Sequence, residues 1–147
     1  MAEKLAPKYN SDKPRVELIP GEPMEKVAEA FTIGTAKYET NSWRKGFPTT
    51  DLIGAAERHL HDLKDGKDID EDSGCLAAAQ VIWNMIVYLQ QLLDHRFDLD
   101  NRYIPEKNRS FHVDAPHRLE VQLNYFKERY ALYAAKEPVK VEATKGA

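Results

Sequence analysis

Apolar side chains recur at intervals of three and four residues along much of this chain, and that spacing restricts what it can fold into. The longest such stretch covers about residues 74–93, and another covers about 116–135. An apolar residue at every third or fourth position forms a stripe along an α-helix, whereas a half-buried strand needs strict alternation. No segment alternates convincingly. The sequence therefore predicts an all-α protein, a compact helical bundle of about four helices with an extended N-terminal arm.

Boundary residues define the first two helices. The first is predicted at about 23–38, because Pro23 suits the opening turn of a helix. The second is predicted to begin at Thr49 or Thr50, whose hydroxyl can cap it, and to end at Asp65 and Gly66. Its buried stripe is expected at Leu52, Ala56, His59 or Leu60, and Leu63.

The third helix, about 74–93, is the strongest in the chain, and Ser73 is its predicted N-cap. Residues 94–116 are expected to be irregular, and a last amphipathic helix to cover 116–135. The stripe of this last helix is expected to pack, either within the chain or against a second subunit. The apolar face of the third helix is expected to comprise Leu76, Ala79, Ile82, Trp83, Ile86, Leu89 and Leu93.

Composition and prolines suggest the organisation of the chain. Four prolines within residues 1–23 favour an extended arm at 1–22 over a helix. A helical core at 23–96 follows, then an irregular segment with the C-terminal helix at 97–136, and a disordered tail at 137–147.

Charge and cysteine content exclude several classes of protein. The net charge of −3 gives no broad basic face for duplex nucleic acid. The single cysteine allows no internal disulfide, which favours a reducing compartment. We see no signal peptide, and no apolar run approaches the roughly 20 residues that span a bilayer. We therefore expect a cytoplasmic protein with no membrane partner.

An acidic run is the first candidate site. Asp68, Asp70, Glu71 and Asp72 follow Asp65 closely, between two predicted helices. Crowded carboxylates repel each other, and hard cations such as Mg2+ or Mn2+ relieve that repulsion through oxygen coordination. The alternative is a solvated acidic loop whose last residues only cap the next helix.

The second helix carries another cluster, formed by Glu57, Arg58, His59, His61 and Asp62. His59 falls on or near the apolar stripe, where a histidine is more often a satisfied core residue than a ligand. Arg58 beside it needs an anionic partner, either an acidic side chain or a phosphate.

A third candidate alternates cations with aromatic rings over residues 37–45. Aromatic faces stack on nucleobases, and Lys or Arg meets phosphates. The alternative is a surface loop in which Trp43 plugs the bundle. Lys13 and Arg15 in the arm are similarly ambiguous.

Taken in their order along the chain, these segments resemble the phage dATP/dGTP diphosphohydrolase family (its N-terminal-type domain). That family is often grouped with the all-α MazG-like nucleotide pyrophosphohydrolases. The resemblance covers about residues 9–93. It is carried by the segments 12–15, 34–38, 43–46, 55–60 and 66–74, and by the helix that continues through Asn84.

The resemblance implies a hydrolase that splits a purine (deoxy)nucleoside triphosphate into monophosphate and pyrophosphate with Mg2+ (or Mn2+). It implies a nucleotide-binding core at 23–96 and, if a phage encodes the protein, the host cytoplasm. We also expect a homo-oligomer, because helical bundles of this kind often build their sites between subunits. His59 and Asp70 are the implied catalytic residues. The implied substrate-binding residues are Lys13, Arg15, Lys37, Tyr38, Trp43, Arg44, Arg58 and Asn84. The implied metal ligands are Glu57, Asp62, Asp68, Asp70 and Asp72.

The chain departs from the family pattern at the start of the third helix. Histidines three residues apart are usual there, and this chain has Ala77 and Gln80. Two alternatives therefore stay open: a non-catalytic protein that sequesters a nucleotide or signalling nucleotide, and a helical adaptor whose last helix docks a partner protein.

Overall fold

The computed structural model describes residues 13–108 and 119–134. Residues 17–108 belong to one compact unit, and residues 13–16 and 119–134 belong to a second. Residues 1–12 of the predicted arm and the whole predicted tail at 137–147 lie outside the described residues. The predicted four-part division of the chain stays a prediction.

The described residues are helical, as predicted. Within 13–108 and 119–134 there is no β-strand, only one isolated antiparallel bridge between Ile69 and Leu76. No helix in these two ranges has the length and apolar character needed to cross a membrane. Four short 3-10 turns accompany the four α-helices, which are α1 (Gly21–Gly34), α2 (Thr49–Lys64), α3 (Ala77–Leu93) and α4 (Leu119–Ala134).

Helix α1 is shorter than predicted. Pro23 lies in its first turn, where the missing backbone N–H has no helical partner to lose. The helix ends at Gly34 and does not reach Tyr38. Beyond Gly34 the chain forms a turn, because the backbone N–H groups of Lys37 and Tyr38 both donate to the Gly34 carbonyl, at 3.2 and 2.9 Å.

Helix α2 has the predicted bounds, with Gly66 just beyond its end in a left-handed conformation at φ 81°. The predicted cap is wrong, because neither threonine hydroxyl bonds to the first turn. The side chain of Asn101 takes that role. Its Oδ1 accepts the Thr50 N–H at 3.0 Å, and its Nδ2 donates to the Thr50 hydroxyl at 2.7 Å.

Helix α3 begins at Ala77 instead of Gly74, and Ser73 does not cap it. The preceding residues form a tight turn with its own backbone bonds. The Asp70 N–H donates to the Cys75 carbonyl at 2.9 Å, and the Gly74 N–H donates to the Asp70 carbonyl at 2.8 Å. Gly74 adopts φ 71°, which ends any helical path through this segment.

Helix α3 packs against both α1 and α2, and small side chains at the contacts allow close approach. Its apolar face was predicted only in part, because Ala79 is buried and Trp83 and Ile86 are half-buried while the other members are exposed. Leu89 and Leu93 are 55% and 59% exposed, and Leu76 and Ile82 are also exposed. The buried stripe instead includes Asn84 and Gln91, because both amides find hydrogen-bond partners. The buried apolar residues are Val27, Ala30, Leu52, Ala56, Cys75, Ala77, Ala79 and Val87.

The exposure of side chains on α2 and α4 can be compared with the apolar stripes predicted for these helices. On α2, Leu52 and Ala56 are buried and Leu60 is exposed, so His59 takes the inner position. On α4, the described stripe side chains Leu123 and Phe126 are exposed, as is Tyr130. What covers the α4 stripe therefore stays a prediction.

Candidate functional site

A cleft of about 890 Å3 lies between the C-terminal end of α1, the loop after it and the start of α3. This volume is within the usual range of small-molecule sites. The loop forms one wall with residues 35–43, and Asp72 and Ser73 of the acidic segment form part of another. Two separately predicted candidates, the 37–45 stretch and the acidic run, therefore meet in one cavity.

Aromatic rings form the apolar side of the cleft. Phe31 of α1 packs against Trp43 with ring centroids 5.6 Å apart, and against Trp83 of α3 at 5.5 Å. Phe47 packs against Trp83 at 6.1 Å. All four rings line the cleft. Trp43 does contact the bundle, as its structural interpretation predicted, and it also faces the cavity.

Cations accompany two of the rings. The Lys37 Nζ lies 5.3 Å from the centre of the Tyr38 ring, and both residues line the cleft. The Arg44 guanidinium lies 4.5 Å from the centre of the Trp43 ring, and Arg44 itself is outside the lining. Cation–aromatic contacts of this kind are individually worth about 0.5–1 kcal/mol at exposed positions. They hold positive charge beside a ring face, an arrangement suited to a ligand with a flat ring and an anionic group.

A chain of hydrogen bonds connects the acidic segment to α3. The Asp70 carboxylate accepts both the backbone N–H (2.9 Å) and the hydroxyl of Ser73. The Ser73 Oγ accepts the Gln80 side-chain amide at 2.9 Å and the Cys75 N–H at 3.2 Å. The Gln80 backbone carbonyl accepts the Asn84 amide at 2.8 Å. Asp70 is therefore fixed in place by groups from the turn and, through Ser73, from α3.

His59 of α2 approaches the Asp70 end of this chain without forming a hydrogen bond to it. Its Nδ1 lies 3.7 Å from the Asp70 Oδ1, and the two side chains are only 19% and 15% exposed. His61 faces outward on the same helix and approaches Asp65 at 3.4 Å. The structure thus brings the two predicted catalytic residues together, just behind the Ser73 wall of the cleft.

Within residues 17–108, the predicted substrate-binding residues Arg44, Arg58 and Asn84 do not line the cleft. Arg58 is exposed on α2, and its guanidinium extends towards Gly54. Asn84 is buried and its amide is bonded within α3. Lys13 and Arg15 belong to the second unit. Of the eight predicted substrate-binding residues, the cleft lining includes Lys37, Tyr38 and Trp43.

The predicted metal ligands do not form one cluster. Within residues 13–108 and 119–134, no group of three or more His, Cys, Asp or Glu side chains could hold a metal ion. Asp62 approaches Lys67 at 3.6 Å, Glu57 and Asp68 are exposed, and Asp70 is bonded to Ser73. Asp72 lines the cleft.

Sequence reasoning missed several cleft residues. Ser73 was assigned only as a cap, and Gln80 was noted only for not being a histidine. A signal for Gln80 was present, because Gln80 and Asn84 are four residues apart and share one face of a helix that contains no charged residue. Polar amides on an otherwise apolar helix have to meet partners or a ligand.

The fold and the cleft together define the class of protein: an all-α protein whose cleft combines packed aromatic rings, a lysine and part of an acidic loop. The family model described as dATP/dGTP diphosphohydrolase, N-terminal, matches residues 4–102. The chain therefore belongs to this family. A dATP/dGTP diphosphohydrolase of Salmonella phage PMBT28 is 30% identical over 95 residues, which cover 65% of this chain and 32% of that relative. The chain thus spans about a third of the length of the curated relative it matches. No solved structure matches the chain significantly.

Proposed function

We propose that the cleft binds a purine (deoxy)nucleoside triphosphate, and that the protein splits it with Mg2+ into a monophosphate and pyrophosphate. The observation that carries the proposal is the meeting of aromatic rings, Lys37 and the acidic-segment residues Asp72 and Ser73 in one cleft of ligand size. Family membership and the name of the phage relative support it. The proposed location is the cytoplasm, which is that of the host if a phage encodes the protein.

The chain's own groups suit the parts of such a ligand. Trp43 or Tyr38 would stack on the base, because every base has a flat π-face. Lys37 would meet phosphate oxygens as a compact point charge. The cleft wall would exclude bulk water from one side of the ligand, which strengthens these charge interactions.

The residues fit a partial metal site better than a complete one. Mg2+ is usually bound by one or two protein carboxylates together with substrate phosphates. Asp72 lines the cleft and would hold the ion together with the phosphates. Asp70, two residues away, does not line the cleft and already accepts two hydrogen bonds from Ser73. Bound there, Mg2+ would supply neutralisation of the charge that develops on the phosphates.

His59 and Asp70 are the proposed acid–base pair. Neither side chain lines the cleft, so the pair would act at its Ser73 side. Asp70 would orient His59 through the imidazole Nδ1, and Nε2 would accept a proton from the attacking water. The water oxygen bonds to the α-phosphorus, and the bond from that phosphorus to the oxygen bridging the β-phosphate breaks. The products are a nucleoside monophosphate and pyrophosphate.

Pyrophosphate release tests the proposal directly. The purified full chain is incubated with each (d)NTP and Mg2+, and released pyrophosphate is measured. We expect release from a purine nucleotide, and its loss in Asp70→Asn. Asp65→Asn is the matched control, because Asp65 is exposed and contacts only His61 among the described side chains. Release that survives Asp70→Asn contradicts the site assignment.

The second candidate is a nucleotide-binding protein without turnover. The absence of a three-residue metal group among the described residues favours it, as does Ala77, which is fully buried where a family histidine is expected. Its signature is a nucleotide that raises the melting temperature and is recovered unchanged after denaturation. A ligand at 100 times its dissociation constant adds about 2.7 kcal/mol to the free energy of unfolding. If no nucleotide raises the melting temperature, both proposals fail and the adaptor alternative gains support.

A further inference from the structure

We propose that Gln80 is a specificity-determining residue that presents a hydrogen-bond acceptor to the nucleobase and selects a 6-aminopurine over a 6-oxopurine. This inference rests on the proposed nucleotide ligand, and it does not need turnover. It concerns a side-chain amide of helix α3 that lines the cleft.

The Ser73 hydroxyl donates its proton to Asp70. An ionised carboxylate only accepts hydrogen bonds. The Asp70 carboxylate therefore receives the Ser73 hydroxyl proton as well as the Ser73 backbone N–H. With its proton committed to Asp70, the Ser73 oxygen can only accept from its other neighbours. The Cys75 N–H, at 3.2 Å, is one of the donors it meets.

The Ser73 oxygen in turn determines which end of the Gln80 amide faces it. The two ends of a glutamine amide have nearly the same shape, so its orientation follows from its hydrogen-bond partners. Because the Ser73 oxygen accepts, the group 2.9 Å from it has to be the Gln80 NH2. The negative charge of Asp70 thus sets the orientation of Gln80 through one hydroxyl.

The Gln80 amide has hydrogen-bonding groups that remain available to a ligand. Gln80 lines the cleft beside Trp83, and its Oε1 accepts no hydrogen bond from any residue in the described ranges. The amide also has a second N–H. An acceptor beside a donor on one glutamine matches the N6 amino group and N7 of adenine. A 6-oxopurine offers two acceptors there and leaves the Gln80 oxygen unpaired, which is costly in a cleft wall.

Ser73 is a positioning residue in this arrangement, because it acts on the ligand through Gln80. Removing its hydroxyl leaves the Gln80 amide free to rotate and to present either end. Each dissociation constant can then change by a small factor, in opposite directions for the two purines, so that their ratio changes more than either value. The ratio of two dissociation constants is therefore the informative measurement.

The experiment measures binding of dATP and dITP, which differ only on the base, to the full chain by titration calorimetry. We expect dATP to bind roughly tenfold tighter than dITP. Gln80→Met, similar in size but without the amide, should bring the ratio close to one, mainly by weakening dATP. Ser73→Ala should also reduce the ratio, and it keeps the test available if Gln80→Met fails to fold. Gln90→Met, on the same helix outside the cleft, is the control and should keep the wild-type ratio.

Each outcome decides the inference separately from the proposed function. Equal binding of dATP and dITP by the wild-type protein overturns it, even if pyrophosphate is released. A wild-type ratio retained in both Gln80→Met and Ser73→Ala also overturns it, as does failure of both nucleotides to bind. If the ratio behaves as expected and no nucleotide is hydrolysed, the inference stands and the hydrolase proposal fails.

Discussion

The side chain of Gln91 bonds to both ends of the Phe47 residue's backbone. Its Oε1 accepts the Phe47 N–H at 2.8 Å, and its Nε2 donates to the Phe47 carbonyl at 3.1 Å. Gln91 is only 7% exposed, so these bonds are shielded from water. They attach the loop that contains Trp43 and Phe47 to helix α3, and thereby hold one wall of the cleft.

Replacing Gln91 with leucine should lower the free energy of unfolding by about 1–3 kcal/mol, because two buried backbone groups of Phe47 lose their partners. Urea unfolding measures the change. Gln90→Leu is the control, since the Gln90 side chain donates to the exposed Asp94 carboxylate and the loss of that bond should cost about 0.5 kcal/mol or less. Equal losses in the two variants would show that the Phe47 bonds do not stabilise the loop.

Gly46 should tolerate no side chain. Its backbone angles, φ 89° and ψ 164°, fall in a region that is almost exclusive to glycine, and an added Cβ would collide with the Leu99 side chain. We expect Gly46→Ala to cost about 1–3 kcal/mol in thermal or urea unfolding. Gly54→Ala inside α2 is the opposite case. Its Cβ would meet only the Arg58 guanidinium at 3.7 Å, so it should gain about 0.5–1 kcal/mol. A neutral Gly46→Ala contradicts the strain argument.

Sequence patterns could predict the helices because the boundaries of α2 and the end of α3 depend on local signals. Gly66 marks the end of α2 for a reason visible in the sequence, namely its ease in the left-handed conformation. The start of α3 depended on tertiary structure. Ser73 looked like a cap, and its hydrogen bonds go to Asp70 and Gln80 in a turn that the pattern could not show.

The buried side of α3 was hidden for a related reason. A hydrophobic pattern counts Gln91 and Asn84 as surface residues, and both are buried because specific partners satisfy their amides. The site was partly predictable in the same way. His59 and Asp70 are close in sequence and meet in space, whereas the joining of Lys37 to the acidic segment needed the packing of α1 against α3.

Acid should remove the contribution of one surface ion pair. The Arg102 guanidinium, bonded to both carboxylate oxygens of Asp100, lowers the pKa of Asp100 below its ordinary value of 3.8. Because the folded-state pKa is the lower one, the stabilisation is complete above the unfolded-state pKa and is lost as pH falls through the folded-state pKa. Asp100→Asn should therefore cost up to about 1 kcal/mol near neutral pH. That difference should shrink in urea unfolding as pH falls below about 4.

Glu57→Gln, on the exposed face of α2, is the control for this pH series. It should show little difference from the wild-type protein at any pH. A cost of Asp100→Asn that stayed constant down to about pH 2 would mean that the stabilisation does not come from the ionised carboxylate.

We expect helix α3 to supply the surface of the predicted homo-oligomer. Its outward side exposes Ile82, Met85, Leu89 and Leu93, which recur at intervals of three and four residues. The helix contains no charged residue over its 17 positions, so a charged partner would find no complement there. A second copy presents the same uncharged stripe, and two such stripes related by a two-fold axis complement each other.

We expect Leu89→Lys to convert the oligomer to monomer in sedimentation equilibrium, because the contact would have to bury two like charges. Gln90→Lys, the neighbouring position off the stripe, should leave the mass unchanged. A wild-type protein that is monomeric at high micromolar concentration would contradict the prediction.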